Sequence, residues 1–430
     1  MQSKLKSLIL GLQDFFGKSN QLLICNILIL NLVLFLIHAW YLQNYIGLEV
    51  TERLSFRGED PTWMPPGQTS IPILGVHHFG DFQIIAGYAN AINPYDPTLA
   101  LQAQYLPFTF VLAKFLLLFG LKGAFIIYSL LTLFFLFVPV LLIVRKSQVV
   151  SPLLFICLVF FLTQPFLTIF DRGNLQGLMS GFIFMSYYFY SIEKRKLAFI
   201  FLICASLLKG YPILLLLFLQ RDRIRNFLFG IFALTFLTFA SFLLLKLNPF
   251  QAINGYMLAL KISQGSCFTC GYSPSSLMDK AIIILLPNFQ RSDLILLNIT
   301  LSLAILGMGI LISQRDNSLI PIKTVFVGMS FLQVFPSLSN NFTLIWAVIP
   351  LIVLCDSRLD KHFLTGLNPA RLLIIISCLV SIMPNLILVQ GPRDHATWLM
   401  SLLSPAIILV TYIFLVKDST KLELKKPYKT

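Results

Sequence analysis

The chain alternates between long apolar runs and short clusters of charge. Runs at residues 22–42, 123–144, 226–245 and 372–389 have the length, roughly 17–25 residues, that a helix needs to cross a bilayer. Residues 152–170, 175–192, 294–312, 319–335, 341–355 and 398–416 carry the same apolar character and are read as further spans. The run at 197–220 is interrupted by Lys209-Gly210-Tyr211-Pro212. It is read as two half-length helices meeting at that break, because the charged residues on either side of it belong on one face of the membrane. The pattern predicts an all-α polytopic membrane protein with about twelve membrane-spanning helices. No repeat of 20–50 residues and no low-complexity segment interrupts it. Residues 1–430 therefore read as a single membrane domain without a soluble domain.

Composition agrees with this pattern. Of 430 residues, 57% are hydrophobic and 12% charged, where soluble chains carry roughly a quarter charged residues. That much apolar surface exceeds what one soluble core absorbs. Charge supplies the orientation. Lys4, Lys6 and Lys18 precede the first run, which places the N-terminus in the cytoplasm. In the resulting scheme the inner segments hold 20 of the 32 Lys and Arg against 8 of the 18 acids. The basic C-terminal tail falls inside with them. Residues 43–121 and 248–293 become two extracytoplasmic loops. The net charge of +14 is accounted for by the cytoplasmic loops, and no nucleic-acid-binding motif is present. Residues 1–20 lack the short apolar core and small-residue cleavage site of a secretory signal.

The segment 105–121 is apolar but short, begins near Pro107 and carries Lys114. It is read as an interfacial helix lying along the outer surface, because charge and length agree on that placement. The Cys267–Cys270 pair falls in the second outer loop. A single CxxC is weak evidence for a metal, so a disulfide or two free thiols are expected there.

Four polar clusters fall on the outer side, where an ionisable group near the membrane is costly. His77-His78-Phe79-Gly80-Asp81-Phe82 precedes a helical pattern, so Asp81 is either a helix cap or a general base. Asp171-Arg172-Gly173-Asn174 has turn composition, but a turn does not need Arg172; an anion would. Lys209 is either a snorkelling side chain or a cation at a helix break that holds a phosphate. Residues 336–341 and Arg393-Asp394-His395 are either ordinary loops or further parts of the same site. Together these clusters would suit an anionic, phosphorylated substrate with one carboxylate nearby. No phosphate-binding Gly-rich loop, dinucleotide fingerprint, nucleophile elbow or zinc-helix motif occurs, and no Asp-x-Asp pair requires a divalent metal. No metal and no cofactor is expected.

Four stretches, taken in order, resemble the family 87 glycosyltransferases of the membrane-embedded C-fold (GT-C) superfamily. Gly80-Asp81-Phe82 leads through residues 87–92 to Asn93-Pro94-Tyr95 and then Tyr105-Leu106-Pro107. Gly173-Asn174 opens a helix. Leu208-Lys209-Gly210-Tyr211-Pro212 is similar to the family's K-x-YP element. Residues 337–341 precede a helix containing Pro350. The chain departs from the pattern at Phe108, where the family has a second proline, and in the extra segment 52–78. Residues after about 356 match no element of the pattern.

The resemblance implies a multi-pass enzyme of the plasma membrane with an extracytoplasmic active site. It would transfer a mannose-like or arabinofuranose-like sugar, with inversion, from a polyprenyl-phosphate donor to a glycan or lipid-linked acceptor. On that reading Asp81 is the base, and Lys209 and Arg172 hold the donor phosphate. His78, Tyr95, Tyr105, Asp171, Asn174, Tyr211, Asn341 and Arg393 line the substrate site. The alternative is a multi-pass transporter or lipid flippase for a phosphorylated or glycosylated substrate, which needs polar groups along a path through the membrane.

Overall fold

The structure is a computed structural model. It describes residues 20–41, 80–96, 105–145, 151–161, 163, 165–166, 169–170, 173–219, 223–266, 292–316, 321–334, 345–356, 358–359, 368–382 and 399–424. Every regular element among these residues is helical, so the chain is all-α. In chain order the helices are α1 (Asn20–Tyr41), α2 (Gly80–Asn90), α3 (Pro107–Leu117), α4 (Gly120–Val144), α5 (Pro152–Phe161), α6 (Gln176–Ser191) and α7 (Arg195–Leu208). A 3-10 turn (Tyr211–Leu215) and α8 (Leu216–Leu219) follow. Then come α9 (Arg223–Leu244), α10 (Pro249–Ser266), α11 (Ser292–Arg315), α12 (Ile322–Val334), α13 (Val348–Val353), α14 (Pro369–Ile382) and α15 (Leu399–Leu424).

Among the described residues, α4 and α9 are long and apolar enough to cross a membrane. Only 33% and 17% of their most apolar stretches are buried within the protein. A core helix of a soluble protein would be mostly covered. Here Ile126, Leu130 and Phe134 on α4, and Phe232, Phe236 and Leu243 on α9, face outward. Helix α3 has 11 residues, about 16 Å, which is too short to cross. Gly120, at φ +72°, ends it against α4.

The helices run in alternating directions. α4 and α6 are parallel neighbours: a Cβ on Gly177 would meet Thr132 Cγ2 at 2.9 Å, and one on Gly181 would meet Phe135 Cβ at 2.6 Å. This Gly-x-x-x-Gly pair lets the two backbones approach closely, as small residues do between helices packed in lipid. α7 returns antiparallel to α6, with Ser186 Oγ donating to the Ala198 carbonyl at 2.7 Å. The intervening turn puts Glu193 at φ 60°, with Lys194 N–H on the Phe189 carbonyl (2.9 Å) and Glu193 N–H on the Tyr190 carbonyl (3.0 Å). That is the hydrogen-bond pattern of a left-handed helix terminus, although glutamate lacks glycine's ease there.

α7 ends at Leu208, and Pro212, which has no N–H, sits in the 3-10 turn that follows. The chain then reverses. Thr109 Oγ1 meets the Leu208 carbonyl at 3.3 Å, whereas ten residues later the Phe218 carbonyl accepts Ser313 Oγ at 2.8 Å. The expected break at Lys209 is therefore a reversal between two short helices. In the second half, α14 and α15 are antiparallel, joined by Ser377–Thr411 and Ser381–Ser404 hydroxyl pairs at 2.7 Å each.

This alternation collects polar side chains at two ends. One end holds Asn20, Ser191, Arg223, Lys323, Asp356, Arg358, Arg371 and Asp418. Arg358 grips Asp356 through Nε (2.9 Å) and Nη2 (2.6 Å) and also reaches Ser191 O and Oγ at 2.9 and 3.0 Å. Asn20 bridges the fully buried Arg371 (2.6 Å) to the Leu354 carbonyl (2.5 Å). Lys323 pairs with Asp418 at 2.7 Å, and Arg223 Nη2 donates to the Ser313 carbonyl at 2.9 Å. The charge pattern assigned all of these except Asn20, Ser191 and Lys323 to segments on one side, and the fold gathers them together. The other end carries Asp81, Asn174, Lys209 and Tyr211.

Candidate functional site

Asp81 lies within helix α2, in the first turn of its described residues, and not at a cap position. A carboxylate there is favoured by the helix dipole. Phe82 fixes the turn, its ring 5.0 Å from Tyr128 and 6.0 Å from Phe125. Asp81 Oδ2 accepts Asn174 Nδ2 at 2.5 Å.

Asn174 is placed by local chemistry. Gly173 adopts φ +61°, and the Asn174 and Gly173 N–H groups bond to the Ile169 (3.0 Å) and Phe170 (3.2 Å) carbonyls. This closes the preceding helical turn in the manner of a glycine-terminated helix. Asn174 then starts α6: its Oδ1 accepts the Gln176 N–H at 2.8 Å, satisfying a donor that a helix start leaves open. Its backbone carbonyl accepts the Tyr128 hydroxyl at 2.8 Å. The amide is thus held from three sides, with its Nδ2 aimed at Asp81.

The line continues. Tyr211 OH donates to Gln176 Oε1 at 3.1 Å, and the Tyr211 ring stacks on Trp346 with centroids 5.7 Å apart and planes 28° apart. Two residues before Tyr211, Lys209 Nζ lies 5.5 Å from the centre of the Tyr105 ring, within cation–π range. Tyr95 holds Tyr105 in place by donating its hydroxyl to the Tyr105 carbonyl at 2.8 Å. Tyr95 is itself buried against Phe110, Phe242 and Tyr256, and the Asn93 side chain caps its N–H at 3.0 Å. Burial, and secondarily the neighbouring Tyr256 phenol, push the Tyr95 hydroxyl far above the ordinary tyrosine range, so it remains a donor.

The fold therefore links Asp81, Asn174 and Tyr211 through Gln176, and sets Lys209, two residues before Tyr211, over the Tyr105 ring. Tyr95 is a strut for Tyr105. His78, Asp171, Arg172, Asn341, Arg393, Cys267 and Cys270 lie outside the described residues, as do all of residues 43–79. Among the described residues, no group of three or more His, Cys, Asp or Glu could hold a metal ion.

Sequence reasoning missed Tyr128, Gln176 and Trp346. Gln176 had a signal, being a polar amide two residues after Asn174 inside an apolar run. Tyr128 and Trp346 had none, since an aromatic residue in an apolar helix reads as packing. Phe108, where the resemblance expected proline, packs partly buried against the core.

Compared with known proteins, this chain matches no protein-family model and no curated protein.

Proposed function

We propose that this protein is a multi-pass membrane glycosyltransferase that uses a polyprenyl-phosphate sugar on the extracytoplasmic side. The observation that carries this reading is the linked set Asp81–Asn174–Gln176–Tyr211 with Lys209 two residues away. A carboxylate and a cation are brought to one end of a helical bundle from positions 128 residues apart in sequence. The outward-facing apolar surfaces of α4 and α9, and the antiparallel packing of α6 with α7 and of α14 with α15, support a multi-pass architecture.

In the proposed step, Asp81 removes the proton of an acceptor hydroxyl. The acceptor oxygen bonds to the anomeric carbon while the bond from that carbon to the phosphate oxygen breaks. The lipid phosphate leaves with the electron pair, stabilised by Lys209 and, on the resemblance, by Arg172. One base and one displacement invert the anomeric centre. Asn174 orients the carboxylate. Such a donor has no nucleoside diphosphate for a divalent metal to neutralise.

The test is transfer of labelled mannose and arabinofuranose from polyprenyl-phosphate donors by membranes enriched in the protein, wild type against Asp81→Asn. Loss of transfer in a folded variant is expected. Full activity of that variant removes Asp81 as the base.

One observation favours the alternative of a transporter or flippase. Gln176, Ser180 and Tyr187 lie on one face of α6, spaced by four and seven residues, and each has a buried polar atom without a partner among the described residues. The stripe covers about 16 Å, from Asn174 towards Asp356 and Arg358. Movement of a labelled polyprenyl-phosphate sugar across proteoliposomes, without transfer to any acceptor, would establish that reading and displace the first.

A further inference from the structure

Two fully buried side chains touch opposite parts of Tyr211 and keep unused N–H donors. Gln176 accepts the Tyr211 hydroxyl through Oε1, while its Nε2 has no partner among the described residues. Trp346 stacks on the Tyr211 ring, and its Nε1 likewise has none. Both residues are 0% exposed, whereas Tyr211 is half-buried. A buried donor left unmade is costly, so two around one residue need an explanation. The pair around Tyr211 lies between the proposed phosphate ligand and the proposed base.

We infer that Gln176 and Trp346, arranged around Tyr211, form a binding subsite for a neutral polyhydroxylated ring. The donors are uncharged and flank an aromatic pair, which suits the hydroxyls of a neutral ring. The aromatic pair supplies the flat apolar wall that the C–H face of a sugar packs against. The order along the site also fits: Lys209 is two residues before Tyr211, and Gln176 two residues after Asn174. A phosphate at Lys209 would leave its attached sugar at Tyr211, with the anomeric carbon next to the phosphate oxygen and its opposite face presented to the acceptor that Asp81 deprotonates. This inference rests on the glycosyltransferase reading and assigns the residues that select the sugar.

The test measures binding of farnesyl phosphate, farnesyl-phosphate mannose and farnesyl-phosphate arabinofuranose to the detergent-solubilised full chain. Wild type, Trp346→Phe and Gln176→Met are compared. Phenylalanine keeps a ring against Tyr211 and deletes one N–H; methionine keeps the side-chain length and deletes the amide. Wild type is expected to bind one sugar-bearing lipid roughly tenfold tighter than farnesyl phosphate. Each variant is expected to bind farnesyl phosphate as wild type does and to lose most of the sugar advantage. If Gln176→Met does not fold, Trp346→Phe alone decides. A retained advantage in the folded variants overturns the subsite. Equal wild-type binding of all three lipids also overturns it, and leaves the phosphate site and the functional reading standing. Wild-type binding of none of them, with no transfer, removes both.

Discussion

The two ends of the bundle solve the same problem differently. Each holds an acidic side chain brought against a distant segment. At one end Asp356 is 2% exposed and is gripped through two nitrogens by Arg358, which also ties down Ser191. At the other end Asp81 is taken by a neutral amide, Asn174, two residues before Gln176, whose Nε2 has no partner among the described residues. The first arrangement neutralises charge and joins chain segments 167 residues apart. The second orients a carboxylate with a neutral amide. Saturated polar groups hold a fold together, and under-used ones belong where a ligand completes them.

Exchanging Asp for Asn at each end tests this contrast most strongly. Asp81→Asn should lower transfer about 10²–10⁴-fold, the usual contribution of a general base, with little change in melting temperature. Asp356→Asn should do the reverse, lowering the melting temperature and leaving the rate per folded molecule near wild type. Equal effects at both ends would erase the distinction.

Arg358→Met comes next. It leaves Asp356 buried and unpaired, which costs about 3–5 kcal/mol. Thermal unfolding in detergent should show the loss, and adding Asp356→Asn to the same chain should recover part of it.

Gly181→Ala addresses what positions the active end. The new methyl would lie 2.9 Å from the Phe135 backbone carbon as well as 2.6 Å from its Cβ. Separation of α4 and α6 should cost about 1–3 kcal/mol in stability. Activity should fall too, because Tyr128 on α4 holds Asn174 on α6. A stable Gly181→Ala protein with reduced activity would show that the site depends on this spacing more than the fold does.

The smallest effect is expected at Glu193, in the turn between α6 and α7. Relieving its left-handed backbone with Glu193→Gly should stabilise the protein by up to about 1 kcal/mol, read as a small rise in melting temperature with transfer unchanged. A loss of activity there would mean that the far end of α6 communicates with Asp81.

Much of this was legible in the sequence. Apolar length and charge bias along the chain predicted helices and grouped Arg223, Arg358 and the basic tail, because burial of apolar surface and the cost of charge in lipid act on each segment locally. The interruption at Lys209 was visible for the same reason: a cation, a glycine and a proline together cannot continue an apolar helix. Asp81, Asn174, Lys209 and Tyr211 stood out as polar residues in costly places. The sequence could not say which of them touch. That Asn174 turns its amide to Asp81 depends on the left-handed Gly173 and on Tyr128 from another helix. That Gln176 and Trp346 meet around Tyr211 depends on the parallel packing of α4 and α6 through two glycines and on the reversal after Leu208. Hydrophobic burial is non-directional and can be read residue by residue, whereas hydrogen bonds join groups far apart in the chain, so only the packed structure selected the partners.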